Sequence, residues 1–372
     1  MTRRSVCNIS PTSSVTKALV LCCLIGTVLI IYSDRQSSKD VGHADNSSHS
    51  STSNTSSPKI VSRFQLNASH NSTRQAEKEV VNVLFVFTKA KSRNLREKLA
   101  VFLTSLFEHS SVPLHLHVVT DADSQEVATQ VLQDASALSS VNILVDLLHI
   151  ADVLYPIQDM MQYMQEHFSP HRSNYYSDPL FLLSLGLHRV FDTNMRVIIL
   201  DIDTRIKSDI LLLHRHFSLF GDTAVVGMAF EQQPVYRHNL RSYRKQNPKT
   251  KCGEAPDKGF PGFNSGVLLL DLGRIRSSAF YQDFLREEAV KNLTAKYIFS
   301  GTLGDQDFYT LLGCEHPKLF YILPCTWNRQ LCKYWNEHGY SSVFSEYHYC
   351  KGEINLYHGN CNSPIPQGQL EK

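Results

Sequence analysis

Two carboxylates close a hydrophobic run in Val197-Ile-Ile-Leu-Asp-Ile-Asp-Thr204. The four apolar residues read as a buried strand, and Asp201 and Asp203 follow at its end, one residue apart. Alternation along a strand predicts both carboxylates on one face, with Ile202 opposite. Two hard oxygen ligands at a sheet edge suit Mn²⁺ or Mg²⁺, ions that keep positions open for phosphate oxygens. The competing reading is a solvated strand end that happens to be acidic. Three further stretches bear on the choice. Phe263-Asn-Ser-Gly-Val-Leu-Leu-Leu-Asp-Leu272 carries Asn264, Ser265 and Gly266 at the entrance of another strand, where small residues let backbone approach a neighbour closely. Gly304-Asp-Gln-Asp-Phe308 sets Asp305, Gln306 and Asp307 at a helix start, where Asp305 alone would serve as an ordinary cap. Late in the chain, His358 precedes Gly359. Such a histidine is more often structural, but beside an acidic pair it becomes a candidate third metal ligand.

Residues this far apart in sequence need a scaffold that delivers them to one place. Val80–Phe87, Leu114–Asp121 and Val141–Ile150 are apolar runs rich in β-branched residues and predict buried strands. Asn94–His109 has helical spacing, Asp123–Ala137 reads as a helix capped by Asp123 or Ser124, and Asp178–Phe191 as a helix with Pro179 in its first turn. Alternating strands and helices predict an α/β fold with a mostly parallel sheet. In such sheets ligands bind at the carboxyl ends of strands, where Asp201, Asp203 and also Thr88-Lys89-Ala90 fall. No GxGxxG follows the first strand and GxxxxGK[ST] is absent, which removes support for a dinucleotide oxidoreductase or a P-loop NTPase. A net charge of +2, without a basic patch interleaved with aromatics, gives no case for nucleic acid as a partner.

The N-terminal part sets the compartment. Arg3, Arg4 and Lys17 precede the apolar run Ala18–Tyr32, and no small-x-small cleavage site follows at once. The run is shorter than the ~20 residues that span an average bilayer, and a thin early-secretory membrane would suit it. The expectation is a cytoplasmic tail over 1–17, a signal-anchor transmembrane helix over 18–32, a disordered glycosylated stem over 33–79 and a lumenal domain over 80–372. A cleaved signal peptide is the alternative. Sequons at Asn46, Asn54, Asn67, Asn71 and Asn292 fit the lumenal orientation. Six cysteines follow the stem, at 252, 314, 325, 332, 350 and 361, without the CxxC spacing of a zinc site. An even count fits up to three disulfides, and six cysteines allow 15 connectivities.

The D-x-D after a hydrophobic strand, FNSGVLLLDL, GDQDF and YHG together resemble the retaining glycosyltransferases of family 8. Longer stretches are similar to its xylose-transferring members: QPVYRHNLRSYRKQNPKTK, GTLGDQDFYTLLGCEHPKLF, CTWNRQLC and YHGNCNSPIP. The resemblance covers about Val80 to Pro366. It implies a GT-A fold, UDP-xylose as donor, Mn²⁺ by preference or Mg²⁺ as cofactor, and α-1,3 transfer. The implied acceptor is the xylose of a xylose-glucose unit O-linked to EGF-like repeats, as in Notch-type receptors. An endoplasmic reticulum membrane location is favoured, with the Golgi as second choice. Residue by residue, it implies Asp201, Asp203 and His358 as metal ligands, and Thr88, Lys89 and Ala90 around uridine with Phe87 beside them. Ile202, Asn264, Ser265, Gly304, Gly359 and Asn360 complete the donor site, with Asp305 and Gln306 at the reacting sugar. Tyr236, Arg237, His238 and Asn239 would face the acceptor, with Trp335 near the EGF surface. One departure stands out: many family members follow the late histidine with a phosphate-binding lysine, and HGNCNSPIP has none. The expected disulfides are Cys325 with Cys350 and Cys332 with Cys361, stapling a C-terminal region poor in regular structure. Cys252 and Cys314 are left open. The alternatives are a family-8 transferase using a different donor or acceptor, such as a glucoside xylosyltransferase, and a non-catalytic lumenal binder of glycans or EGF repeats.

Overall fold

The structure, a computed structural model, describes residues 60–66, 79–90, 92–137, 139–169 and 178–366. All of them belong to the compact unit Asn54–Lys372. The tail, the anchor run and the sequons at Asn46, Asn54, Asn67 and Asn71 lie outside the described residues. Among the described residues no helix is long and apolar enough to cross a membrane.

Among the described residues, eleven strands form two sheets. They are β1 (Ile60–Leu66), β2 (Val81–Phe87), β3 (Leu114–Thr120), β4 (Ile143–His149), β5 (Arg196–Leu200), β6 (Thr204–Ile206), β7 (Val226–Phe230), β8 (Phe263–Asp271), β9 (Phe320–Leu323), β10 (Arg329–Gln330) and β11 (Leu356–His358). The larger sheet has the order β1-β4-β3-β2-β5-β8-β7-β9. Pairing is parallel from β4 through β3 and β2 to β5, and again between β7 and β9. Successive side chains of each central strand enter opposite cores, as Leu84 and Phe85 do. Helices Arg93–Glu108 and Gln125–Ser136 cover one face; Leu183–Val190, Leu272–Ser277 and Asp305–Glu315 cover the other. The helix expected over 178–191 starts as a 3₁₀ turn, Pro179–Leu182, whose Leu180 N–H donates to the Asp178 carboxylate at 3.1 Å.

Two strands run against the rest. β8 is antiparallel to both neighbours, because the chain leaves β7 and re-enters at the same edge: Phe230 pairs with Phe263. The intervening short helices Val235–Asn239 and Arg241–Gln246 stay at that edge instead of crossing a face. The second exception corrects the stem boundary. Ile60–Leu66, placed in the disordered stem by its polar surroundings, is an edge strand antiparallel to β4. It pairs the otherwise open backbone of β4. Arg63 adds a two-pronged grip on buried Asp146, at 2.6 and 2.8 Å.

The smaller sheet, β10-β11-β6, sets His358 of β11 opposite Thr204 of β6 and beside Gln330 of β10. Disulfides Cys325–Cys350 and Cys332–Cys361 staple this region, as expected, and Cys252–Cys314 forms a third.

Candidate active site

Asp201 and Asp203 do not lie on a strand. β5 ends at Leu200, held by the Asp201 N–H to the Gly266 carbonyl at 3.0 Å. The chain then turns, with the Thr204 N–H and hydroxyl both donating to the Asp201 carbonyl, at 3.2 and 2.7 Å. The turn, not strand alternation, brings the two carboxylates together. They meet the Nε2 of His358 at 3.5 Å (Asp201) and 3.4 Å (Asp203).

His358 is buried, and its ring rests on Gly266, where an added Cβ would fall 2.2 Å from Cε1. Nδ1 stands 3.0 Å from the Asn328 side-chain oxygen and is the donor in that contact, so Nε2 is the atom presented to the acids. Burial alone would lower the His358 pKa, but hydrogen bonds and charge from Asp201 and Asp203 raise it to about 10. Burial would raise the Asp203 carboxyl; the His358 contact and the nearby Lys98 charge hold it below the usual range. One imidazole and two carboxylates, with ligand atoms within 4.8 Å of one another, are a donor set that fits Mn²⁺ or Mg²⁺. A second group, His115, His117 and Asp146, also converges, but there the Arg63 guanidinium already neutralises the carboxylate.

The acidic turn opens onto a cavity of about 540 Å³, a size suited to a nucleotide sugar. Thr88, Lys89, Ile202, Asn264, Ser265, Asp305, Gln306 and Asn360 line it, as do Asn239 and Trp335. The Lys89–Ala90 loop is pinned: the Lys89 N–H donates to Asp121 at 2.7 Å, and the Ala90 N–H to the Ser124 hydroxyl at 2.9 Å. Lys89 Nζ meets Asp178 at 2.6 Å. Gly304 has φ +66, and a Cβ there would lie 2.4 Å from the Phe181 carbonyl, so this helix entry requires glycine. The Gly359 N–H donates to the Asp203 carbonyl at 2.7 Å, and the Asn360 side-chain oxygen accepts from Leu331 and Cys332. Asn292 is exposed on the helix Glu287–Tyr297.

Four assignments need correction. Phe87 shares the alternation of Val83 and Phe85 and points into the core, 1% exposed, so it does not line the cavity. Tyr236 is fully buried with its hydroxyl on Asp307 at 2.8 Å; it supports the site from behind instead of facing an acceptor. Arg237 is paired with Glu254 at 2.7 Å, and His238 packs on Trp335 at 4.6 Å; neither lines the cavity.

Sequence reasoning missed three residues. Lys98, on the helix Arg93–Glu108, lines the cavity and stands 3.6 Å from Asp203. A lysine on an amphipathic helix gives no signal. Asn328, in the CTWNRQLC stretch, orients His358. Glu231 follows β7 as Asp201 follows β5, an acid ending an apolar strand, and the same rule would have found it. Burial drives the carboxyls of Glu231, Asp305 and Asp307 each up to about 7, against hydrogen bonds such as Ser184 to Asp305 at 2.5 Å.

A mostly parallel α/β sheet with a D-x-D turn and a convergent histidine at its carboxyl edge defines a glycosyltransferase of the GT-A type, an enzyme. No protein-family model matches the chain. It is 44% identical to mouse xyloside xylosyltransferase 1 over 297 residues, 77% of this chain and 75% of that protein. The human protein of the same name gives the same identity and coverage. The apo crystal structure of the mouse protein matches with a TM-score of 0.74 at 42% identity, covering 77% of this chain and 100% of that one. The chain belongs to the xyloside xylosyltransferase family.

Proposed function

We propose that the chain transfers xylose from UDP-xylose, with retention, to the xylose of a xylose-glucose unit O-linked to EGF-like repeats, forming an α-1,3 bond. The observation that carries this reading is the convergence of Asp201, Asp203 and His358 at the mouth of a cavity with Gln306 in its wall. The names of the relatives supply the sugar.

Asp201, Asp203 and His358 would hold Mn²⁺ or Mg²⁺, which stabilises negative charge on a departing diphosphate. Lys98 supplies a fixed cation beside the same turn, the role for which no lysine follows His358. Thr88 and Lys89 flank the uridine end. The C1–phosphate oxygen bond breaks as the acceptor hydroxyl approaches the same face. The new C1–oxygen bond forms there, and the hydroxyl proton passes to the leaving phosphate oxygen. An amide is a weak nucleophile, so Gln306 stabilises the oxocarbenium-like sugar instead of bonding to it. Its side-chain oxygen takes the Ser265 N–H at 3.1 Å and its nitrogen is engaged by Glu231 and Tyr236, so the amide is held still for that purpose. Asn239 and Trp335 are the acceptor-side residues.

The three disulfides accord with an oxidising, lumenal site of action; we place the protein as a single-pass type II protein of the endoplasmic reticulum membrane. Donor profiling tests the sugar. With a xylosyl-glucosyl EGF repeat as acceptor, UDP-xylose should exceed UDP-glucose and UDP-galactose by at least about 100-fold in kcat/KM. Equal or greater turnover with a hexose donor would replace the reading with another family-8 transfer.

A further inference from the structure

The cavity wall contains a carboxyl that the mechanism above does not use. Glu231 is 2% exposed, and its backbone N–H is tied to the Gly262 carbonyl at 2.9 Å. Oε2 accepts from the Asn264 amide at 3.0 Å and from the Gln306 amide at 3.4 Å. Oε1 is sealed from solvent, and the Gln233 backbone N–H also favours the charged carboxylate. An apolar residue in its place would leave the buried Asn264 and Gln306 amides without this acceptor. The carboxyl therefore has a task beyond filling space.

Its contacts show what that is. Gln306 has two ends to place. With its nitrogen toward Glu231 and the Tyr236 hydroxyl (3.3 Å), its oxygen receives the Ser265 N–H. Reversed, the amide would set an N–H group against the Ser265 N–H and an oxygen against the carboxyl oxygen, and both contacts would repel. Glu231 therefore selects one orientation. The same oxygen fixes Asn264, whose own oxygen accepts from the Asn328 amide at 2.9 Å. That leaves the Asn328 oxygen toward Nδ1 of His358 at 3.0 Å. One buried chain of hydrogen bonds thus runs from Gln306 through Glu231, Asn264 and Asn328 to His358.

We propose that Glu231 is a positioning residue for glycosyl transfer: by accepting from Gln306 and Asn264 together, it fixes the Gln306 amide toward the sugar site and holds the His358 ring with Nε2 facing Asp201 and Asp203. This rests on the transferase reading above. The role requires an acceptor atom at the right reach, not a negative charge. Two variants of the full chain separate these requirements. Glu231→Gln keeps the reach and loses the charge; Glu231→Asp keeps the charge and withdraws it by one carbon.

The proposal predicts that Glu231→Asp lowers kcat about 30- to 100-fold with KM for UDP-xylose changed less than threefold, the pattern of a lost transition-state interaction. Glu231→Gln should recover kcat to within about fivefold of wild type. Mn²⁺ titration followed by electron paramagnetic resonance, without nucleotide, should show about tenfold weaker binding in the Asp variant and recovery in the Gln variant. A Gln variant as impaired as the Asp variant would mean that charge or proton transfer matters, and would overturn the proposal. Wild-type kcat in the Asp variant would overturn it equally, and unchanged Mn²⁺ binding would remove its reach to His358. If wild type itself does not turn over UDP-xylose, the functional reading fails separately, and the Mn²⁺ titration still decides the role of Glu231.

Discussion

Metal-free protein should release close to one proton for each Mn²⁺ it takes up at pH 8. In the absence of a cation His358 is an imidazolium, with Nδ1 donating to Asn328 and Nε2 facing Asp201 and Asp203. Its pKa is raised to about 10, and a metal requires the neutral ring. At pH 8 the proton must be removed two units below that pKa, at a cost of about 2.7 kcal/mol. Apparent affinity should therefore be about 100-fold weaker than above pH 10, and should rise about tenfold per pH unit from pH 7 to 9. The sign follows from the direction of the shift: a raised pKa keeps the competing proton bound below it, so higher pH favours the metal. The value of pH 8 is chosen because Asp305, with a pKa of about 7, has then largely ionised and contributes little to the count. Calorimetric titration in buffers of different ionisation enthalpy gives the proton number as a slope. A slope near zero, or an affinity independent of pH between 7 and 9, would refute the assignment of His358 as a ligand poised by two carboxylates.

Other perturbations have defined outcomes. Gly266→Ala drives a methyl into the His358 ring and should weaken Mn²⁺ binding by at least about tenfold, measured by the same titration. Replacing Cys325 and Cys350 together by serine opens a link between residues 25 apart in sequence and should lower unfolding free energy by about 3 kcal/mol, read by chemical denaturation. Arg63→Ala leaves Asp146 buried with only histidine partners; because Arg63 is half exposed, the loss should be about 1–3 kcal/mol. Transfer activity should stay at wild type, since β1 lies three places from β2 at the far edge of the sheet.

Much of this architecture was legible because buried parallel strands write themselves as apolar runs. Val81–Phe87, Leu114–Thr120 and Ile143–His149 fall within one or two residues of their expected limits. The direction of β8 was not legible, since its sequence is that of any buried strand and only the path of the preceding loop sets it. Ile60–Leu66 was hidden by composition: Ser62, Arg63 and Gln65 read as stem, and their place in the sheet depends on Asp146, far away in sequence. Within the site, Asp201, Asp203, His358, Asn264, Ser265, Asp305 and Gln306 converge on one cavity, because their motifs sit at element ends that the fold brings together. Sequence adjacency misled at Phe87 and Tyr236, because neighbours of a functional residue on a strand or helix point elsewhere. Lys98 and Asn328 acquire roles only when distant segments fold together.

Xylosyl transfer at the Asp201–Asp203–His358 site can be decided by one assay. The full chain is incubated with UDP-xylose and an EGF repeat carrying O-linked xylose-glucose, and the product is read by mass spectrometry and linkage analysis. Parallel reactions contain EDTA, or EDTA followed by excess Mn²⁺. The expected product carries one added pentose in α-1,3 linkage, and its formation is abolished by EDTA, restored by Mn²⁺ and absent from Asp203→Asn. Transfer that persists at full rate in EDTA, or in Asp203→Asn, would contradict it.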